Sequence, residues 1–212
     1  MTDIGTVALR TVEHLGYSGL AVGVAALIAV PLGLVIGHTG RGTWTVGVAN
    51  ALRALPSLGL MTLLVLLIGA GVVPPTIALV VLAIPPILAN TSAGIAHADP
   101  AAVDAARAMG MTERQVLVQV ELPIALPLVV GGFRAATLQV VATATIAAFV
   151  NLGGLGRFIF DGLAVYDYGT VVLGAVLVAA VALALDGAFA LVSRAAAPGR
   201  RPRRRATARF GE

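Results

Sequence analysis

An all-α integral membrane protein with five transmembrane helices is the fold class that this sequence predicts, on three observations. The 212 residues are 58% hydrophobic and only 11% charged, whereas a soluble domain carries roughly 25% charged residues. No Asp, Glu, Lys or Arg occurs from Ala54 to Ala96. At about 1.5 Å per residue that interval holds two crossings of a ~30 Å hydrocarbon core. Polar or Pro/Gly-rich stretches then divide the chain into five apolar segments, each long enough to span.

The segments follow in order. Residues 1–15 place Ile4, Val7, Ala8, Val12 and Leu15 at helical spacing beside Asp3, Arg10 and Glu13, which predicts a short interfacial helix. Tyr17 to Gly37 is the first span, with Pro31 inside it. His38 to Trp44 forms a Gly-rich loop, and Trp44 suits the membrane–water boundary. The second span covers about 46–69 and carries Arg53 and Pro56, read as an interfacial anchor before a kink. Gly69 to Pro75 cannot continue a helix. The third span, about 76–96, contains Pro85-Pro86, whose freed carbonyls need partners; Asn90, Thr91 and Ser92 are the expected ones. The fourth span, 124–150, is rich in small residues that let helices approach closely in lipid. A polar interval at 151–167 precedes the fifth span, 168–192.

Charge sets the expected orientation. All fourteen basic residues are Arg, and seven of them lie between Arg194 and Arg209. A polybasic segment just past a membrane helix places that end in the cytoplasm and favours anionic lipid. Five crossings then put the N-terminus outside, with Arg41 and the Arg107/Arg114 loop facing the cytoplasm. The expected organisation is an interfacial helix over 1–15, a permease-like membrane domain over 16–193 with a cytoplasmic loop at 97–123, and a disordered basic tail over 194–212. The acidic residues Asp3 and Glu13 make 1–15 a poor signal-peptide start, so no cleavage is expected. No basic domain accompanies the tail, which argues against nucleic-acid binding.

The sequence also excludes several chemistries. It has no cysteine, hence no disulfide, iron–sulfur cluster or thiol nucleophile. No GxxxxGK[ST] loop is present to cradle phosphates. The three histidines, His14, His38 and His97, lack metal-ligand spacing and read as surface residues near segment ends. No catalytic residue and no metal ligand is expected.

The most informative stretch is Asp104 to Pro123, DAARAMGMTERQVLVQVELP. Asp99 and Pro100 start a helix, and Val103, Ala106 and Met109 recur at helical spacing while Asp104, Arg107 and Glu113 point elsewhere. Asp104-Ala105-Ala106, then Gly110, Val120 and Leu122-Pro123 at their spacing, resembles the EAA loop of bacterial ABC importer permeases. Asp104 and Val120 stand where that family has Glu and Ile. Three more stretches, 29–37, 53–64 and 131–156, are similar to the permeases of osmoprotectant importers for glycine betaine, carnitine, choline or proline. Asn151-Leu152 departs from the small pair, usually Gly-Ala, that the family pattern places before GGLG.

The resemblance covers about residues 20–190 and implies a type I ABC importer (MetI-like) permease fold in a bacterial cytoplasmic membrane. Two permeases, identical or paralogous, would form the pathway. Two ATPase subunits would bind ATP and Mg, and an extracytoplasmic binding protein would deliver substrate. Asp104, Ala105, Ala106, Gly110, Leu122 and Pro123 would couple to the ATPases: the alanines as a small contact face, Gly110 as the turn, and Pro123 as the stop where the chain re-enters the membrane. Arg53, Pro56, Arg134, Asn151, Gly153, Gly154 and Gly156 are pathway or gating candidates. Arg134 and Asp186, ionisable within apolar spans, read either as a gating pair or as a structural pair near the cytoplasmic helix ends. Three alternatives remain: a permease of the same fold for methionine or another small solute, an ion-coupled carrier, and a membrane enzyme. The last two want intramembrane carboxylates or a nucleophile pair. Only Asp186 comes near that requirement.

Overall fold

A computed structural model describes residues 3–195. Those residues form helices α1 Ile4–Thr39, α2 Thr43–Leu52, α3 Ser57–Ile68, α4 Val73–Ala96, α5 Pro100–Ala108, α6 Glu113–Val116, α7 Leu122–Ala147, α8 Gly156–Ala164 and α9 Tyr168–Ala195. A π-turn, Leu117–Glu121, joins α6 to α7, and a 3₁₀ turn, Ala148–Val150, ends α7. Four segments are long and apolar enough to cross a membrane, with a fifth if the bent pair α2–α3 is one span. The basic tail beyond Arg194 lies outside the described residues.

α1, α4 and α7 form the core, and the sequence explains why they can sit so close. Ala21, Ala25, Ala29 and Gly33 recur every fourth residue on α1 and are buried. A Cβ on Gly33 would lie 2.7 Å from the Cβ of Thr91, and one on Gly37 would lie 2.6 Å from that of Ile95. On α7, a Cβ on Gly132 would meet Asn90 Cβ at 2.8 Å and the Pro86 carbonyl at 3.0 Å. Lipid tails are as apolar as leucine, so helices in a bilayer associate through this close contact rather than through the hydrophobic effect. Gly37→Leu is therefore expected to separate α1 from α4 and lower the yield of monodisperse protein in mild detergent. Gly47→Leu, with open space around it, should not.

Three expectations are corrected here. The interfacial helix over 1–15 is not a separate element: α1 runs unbroken for 36 residues, about 54 Å at 1.5 Å per residue. Its first turns are largely exposed, and contact with the rest of the chain begins near Glu13 and His14. His14, expected on the surface, is 1% exposed, and its Nε2 donates to the Val141 carbonyl at 3.1 Å. The second span is not one kinked helix but two, α2 and α3, bent by 89°. Pro56 has no amide hydrogen to continue a helical ladder, so α2 ends at Leu52 and α3 restarts at Ser57.

Pro85-Pro86 leaves α4 helical but removes amide donors. Pro86 has no N–H for the Leu82 carbonyl, four residues back. The group that satisfies Leu82 is Gln139 of α7, whose Nε2 donates to it at 3.2 Å. Asn90 instead donates to the Pro86 carbonyl at 2.8 Å. The hydroxyl of Thr91 is buried without a partner among the described residues. The expected local triad thus supplies only Asn90, and the freed carbonyl is served from another helix.

Candidate functional site

Two ends of the helical core carry its polar architecture. At one end the segment 97–123 projects as a helical hairpin. Asp99 caps α5, accepting from the Ala101 amide at 3.0 Å, and Pro100 takes the first helical position, where no amide hydrogen is needed. Thr112 and Gln115 form a capping box that starts α6. Gly110 lies between the two starts with φ +84° and nothing near its missing side chain. Only that backbone conformation reverses the chain here, and glycine adopts it without strain.

The hairpin has its own small core. Val103, Ala106 and Val116 close around Ala98. Ala106, expected with Ala105 at a contact face, is 2% exposed and packs inward; its small size serves this internal packing. Ala105 and Asp104 remain on the outer face. Met109, expected to follow Val103 and Ala106, is 76% exposed because the helix ends there. Thr112, Arg114, Gln115, Val118 and Gln119 line a cleft of about 410 Å³ beside the hairpin.

Pro123, expected to stop backbone pairing where the chain re-enters the membrane, does not end the helical run. The run from Glu113 continues through the π-turn into α7, with the Leu122 amide donating to Leu117. A proline ring crowds the carbonyl four residues before it, and one widened turn ahead of Pro123 makes room for it. Leu122 and Pro123 are thus the first turn of α7.

A chain of charges links the hairpin to α1. Arg107 Nε and Nη2 donate to the two oxygens of Glu113, each at 3.0 Å, and the Glu113 carboxylate holds the guanidinium pKa above its usual range. Arg107 also lies 3.9 Å from Asp104. On the other side, His38 Nε2 lies 3.2 Å from Glu113, and His38 Nδ1 donates to Glu121 at 2.7 Å. Glu121 is 5% exposed. Sequence reasoning placed His38 on the surface and passed over Glu121. The available signal was an acid set directly before Leu-Pro at the start of a span.

At the opposite end the Gly-rich loop meets the start of α1. Glu13 accepts from Arg10 at 2.9 Å and from the Gly154 amide at 3.0 Å. Gly153 and Gly154 have φ +93° and +74°, and a Cβ on Gly154 would press on His14. Asn151 takes φ +70°, which asparagine tolerates better than most side chains, and Leu152 is buried in the main core. The departure from a small pair is therefore accommodated by an αL turn and a core contact. Just before α9, the hydroxyl and amide of Thr170 donate to Asp167, lowering its carboxyl pKa.

Two polar groups lie between these ends. Arg53 occupies the break between α2 and α3, about a third of the way along the expected span. Its Nη2 donates to Gln139 Oε1 at 3.2 Å, so the amide that serves Leu82 also orients the arginine. No carboxylate pairs with Arg53 among the described residues. Arg134 and Asp186 do come together, in a two-pronged pair of 2.6 Å and 2.8 Å between α7 and α9. No cluster of metal-ligating side chains occurs among the described residues.

The chain is similar to known proteins. The family described as "Binding-protein-dependent transport system inner membrane component" matches residues 29–197. The choline transport system permease protein OpuBB of Bacillus subtilis is 36% identical over 198 residues, covering 93% of this chain and 91% of that protein. The glycine betaine/carnitine/choline transport system permease protein OpuCB of the same organism is 35% identical with the same coverage. The osmoprotectant import permease protein OsmW of Salmonella typhimurium is 35% identical, covering 88% of this chain and 89% of that protein. Among solved structures, the inward-facing MetNI methionine ABC transporter superposes with a TM-score of 0.83 at 21% identity, over 93% of this chain and 100% of the matched one. The fold is the MetI type. This multi-pass membrane chain belongs to the binding-protein-dependent transport inner-membrane family and is an ABC importer permease subunit.

Proposed function

We propose that this permease imports osmoprotectants, the class spanning glycine betaine, carnitine, choline and proline. The observation that carries the reading is identity of 35–36% across about nine-tenths of the chain to permeases named for choline, carnitine and glycine betaine. The methionine transporter shares the fold at 21% identity, which favours no substrate. In this reading two permeases enclose the pathway, and an extracytoplasmic binding protein delivers the solute. ATP and Mg sit on two partner ATPases, which dock on the outer face of residues 97–123 around Asp104 and Ala105. Gly110 sets the angle of that hairpin, with Ala106, Leu122 and Pro123 holding it internally.

The membrane is the bacterial cytoplasmic one, with the hairpin inside. α1 touches the hairpin with His38 and the Gly-rich loop with Glu13, so its N-terminal end is outside and the last helix ends in the cytoplasm. Arg53 and Gln139 face the pathway, because a guanidinium without a carboxylate does not face lipid. Pro56 shapes the break that presents Arg53, and Asn151, Gly153, Gly154 and Gly156 shape the outer mouth. Arg134 contributes through its pair with Asp186.

The test is uptake of labelled glycine betaine in salt-stressed cells carrying the chain, lacking it, or carrying Gly110→Val. A β-branched residue at φ +84° carries about 1–2 kcal/mol of strain, so the variant should reach the membrane yet transport at the level of the deletion. Uptake unchanged by deletion, with methionine uptake lost instead, would reassign the substrate.

A further inference from the structure

We infer that His38 is a positioning residue for coupling: it ties the cytoplasmic end of α1 to the docking hairpin, so that the two move as one body. This rests on the docking role proposed for residues 97–123. The backbone path from α5 to α7 runs through Gly110, which has φ +84° and no side-chain contacts. On one face, Val103 and Ala106 pack on Val116 across that turn. The charge chain crosses it. Asp104 and Arg107 belong to α5, Glu113 to α6, Glu121 to the π-turn and His38 to α1.

Glu121 makes the link costly to open. Its carboxylate is almost fully buried, and its side-chain hydrogen bond comes from His38 at 2.7 Å. A buried carboxylate stripped of its partner is strongly unfavourable. The two ring nitrogens face two carboxylates, Nδ1 at 2.7 Å from Glu121 and Nε2 at 3.2 Å from Glu113, so one side chain bridges the π-turn and α6. The π-turn that carries Glu121 also seats Pro123, so the widened turn serves the link and the entry into α7 together. Gly37, one residue before His38, packs against Ile95 and the Ser92 carbonyl. Motion of the hairpin therefore passes into α1 and, through that contact, into α4.

The chain lacks cysteine, so spin labels at Thr39→Cys and Gln119→Cys, both exposed, report the distance between α1 and the hairpin. The experiment uses the permease reconstituted with its ATPase and binding protein in proteoliposomes. That distance is expected to be the same in the nucleotide-free and ATP-trapped states. His38→Ala should make it differ between the states and lower solute moved per ATP roughly fivefold or more. His38→Arg, a permanent cation with donors for both carboxylates, should restore both readouts. If the alanine variant does not assemble, Glu121→Gln takes its place, with loss of coupling expected at equal ATPase content. A wild-type distance that changes with ATP, or full coupling in His38→Ala, overturns the link alone. A wild-type permease that retains no ATPase overturns the docking role as well.

Discussion

Gly156→Ala is expected to remove most of the folded permease from the membrane. A Cβ there would run into the Thr145 carbonyl oxygen and lie 2.8 Å from Ala148 Cβ. Thr145 is in the last turn of α7 and Ala148 opens the 3₁₀ turn after it; the carbonyl is backbone, so no rotamer change relieves the clash. Overpacking of this kind costs about 1–3 kcal/mol or more, enough to change abundance several-fold. Fluorescence-detected size exclusion of the detergent extract measures it. Gly131→Ala, with nothing within contact of its added methyl, serves as the matched control and should elute like the parent. Equal yields from the two variants would show that α8 does not seat against α7 as described.

The second large effect is expected at the Arg134–Asp186 pair. Asp186→Ala leaves a guanidinium within a membrane span without its carboxylate, and intramembrane charges persist only when paired or hydrated. Membrane-inserted protein should fall several-fold. The double change Arg134→Leu with Asp186→Leu removes both charges, and apolar replacement of an ion pair is often neutral or better. Yield should then recover. Transport by the recovered double variant decides the role of the pair. Near-normal uptake identifies it as a fastener between α7 and α9, whereas folded but inactive protein identifies it as part of the gate.

What the sequence revealed, and what it did not, follows from the range of each interaction. Spans three to five, the hairpin and its turn at Gly110 were legible because hydropathy, helix caps and a required positive φ are written within a few residues of one another. The kink at Pro56 was legible as a position but not as an 89° break, since the angle is set by what α2 and α3 pack against. His14 was misread because its partner, Val141, is 127 residues away. Ala106 was assigned to an outer face because its size suits docking and internal packing alike. Pro86 was half legible. It announced an orphaned carbonyl at Leu82, but nothing nearby in the chain named Gln139 as the donor. His38 and Glu121 needed three dimensions: 83 residues separate them.

The polar start of α1 has a consequence for how the protein is made. His14 bonds to Val141 and Glu13 to Gly154, partners 127 and 141 residues later in the chain. At a synthesis rate of about 5–20 residues per second, α1 waits on the order of ten seconds before either exists. During that time its imidazole and carboxylate have no tertiary partner, and water near the membrane surface is the cheapest place to keep them. α1 thus enters the bilayer early but settles into its final place only after α7 and the glycine loop emerge from the ribosome.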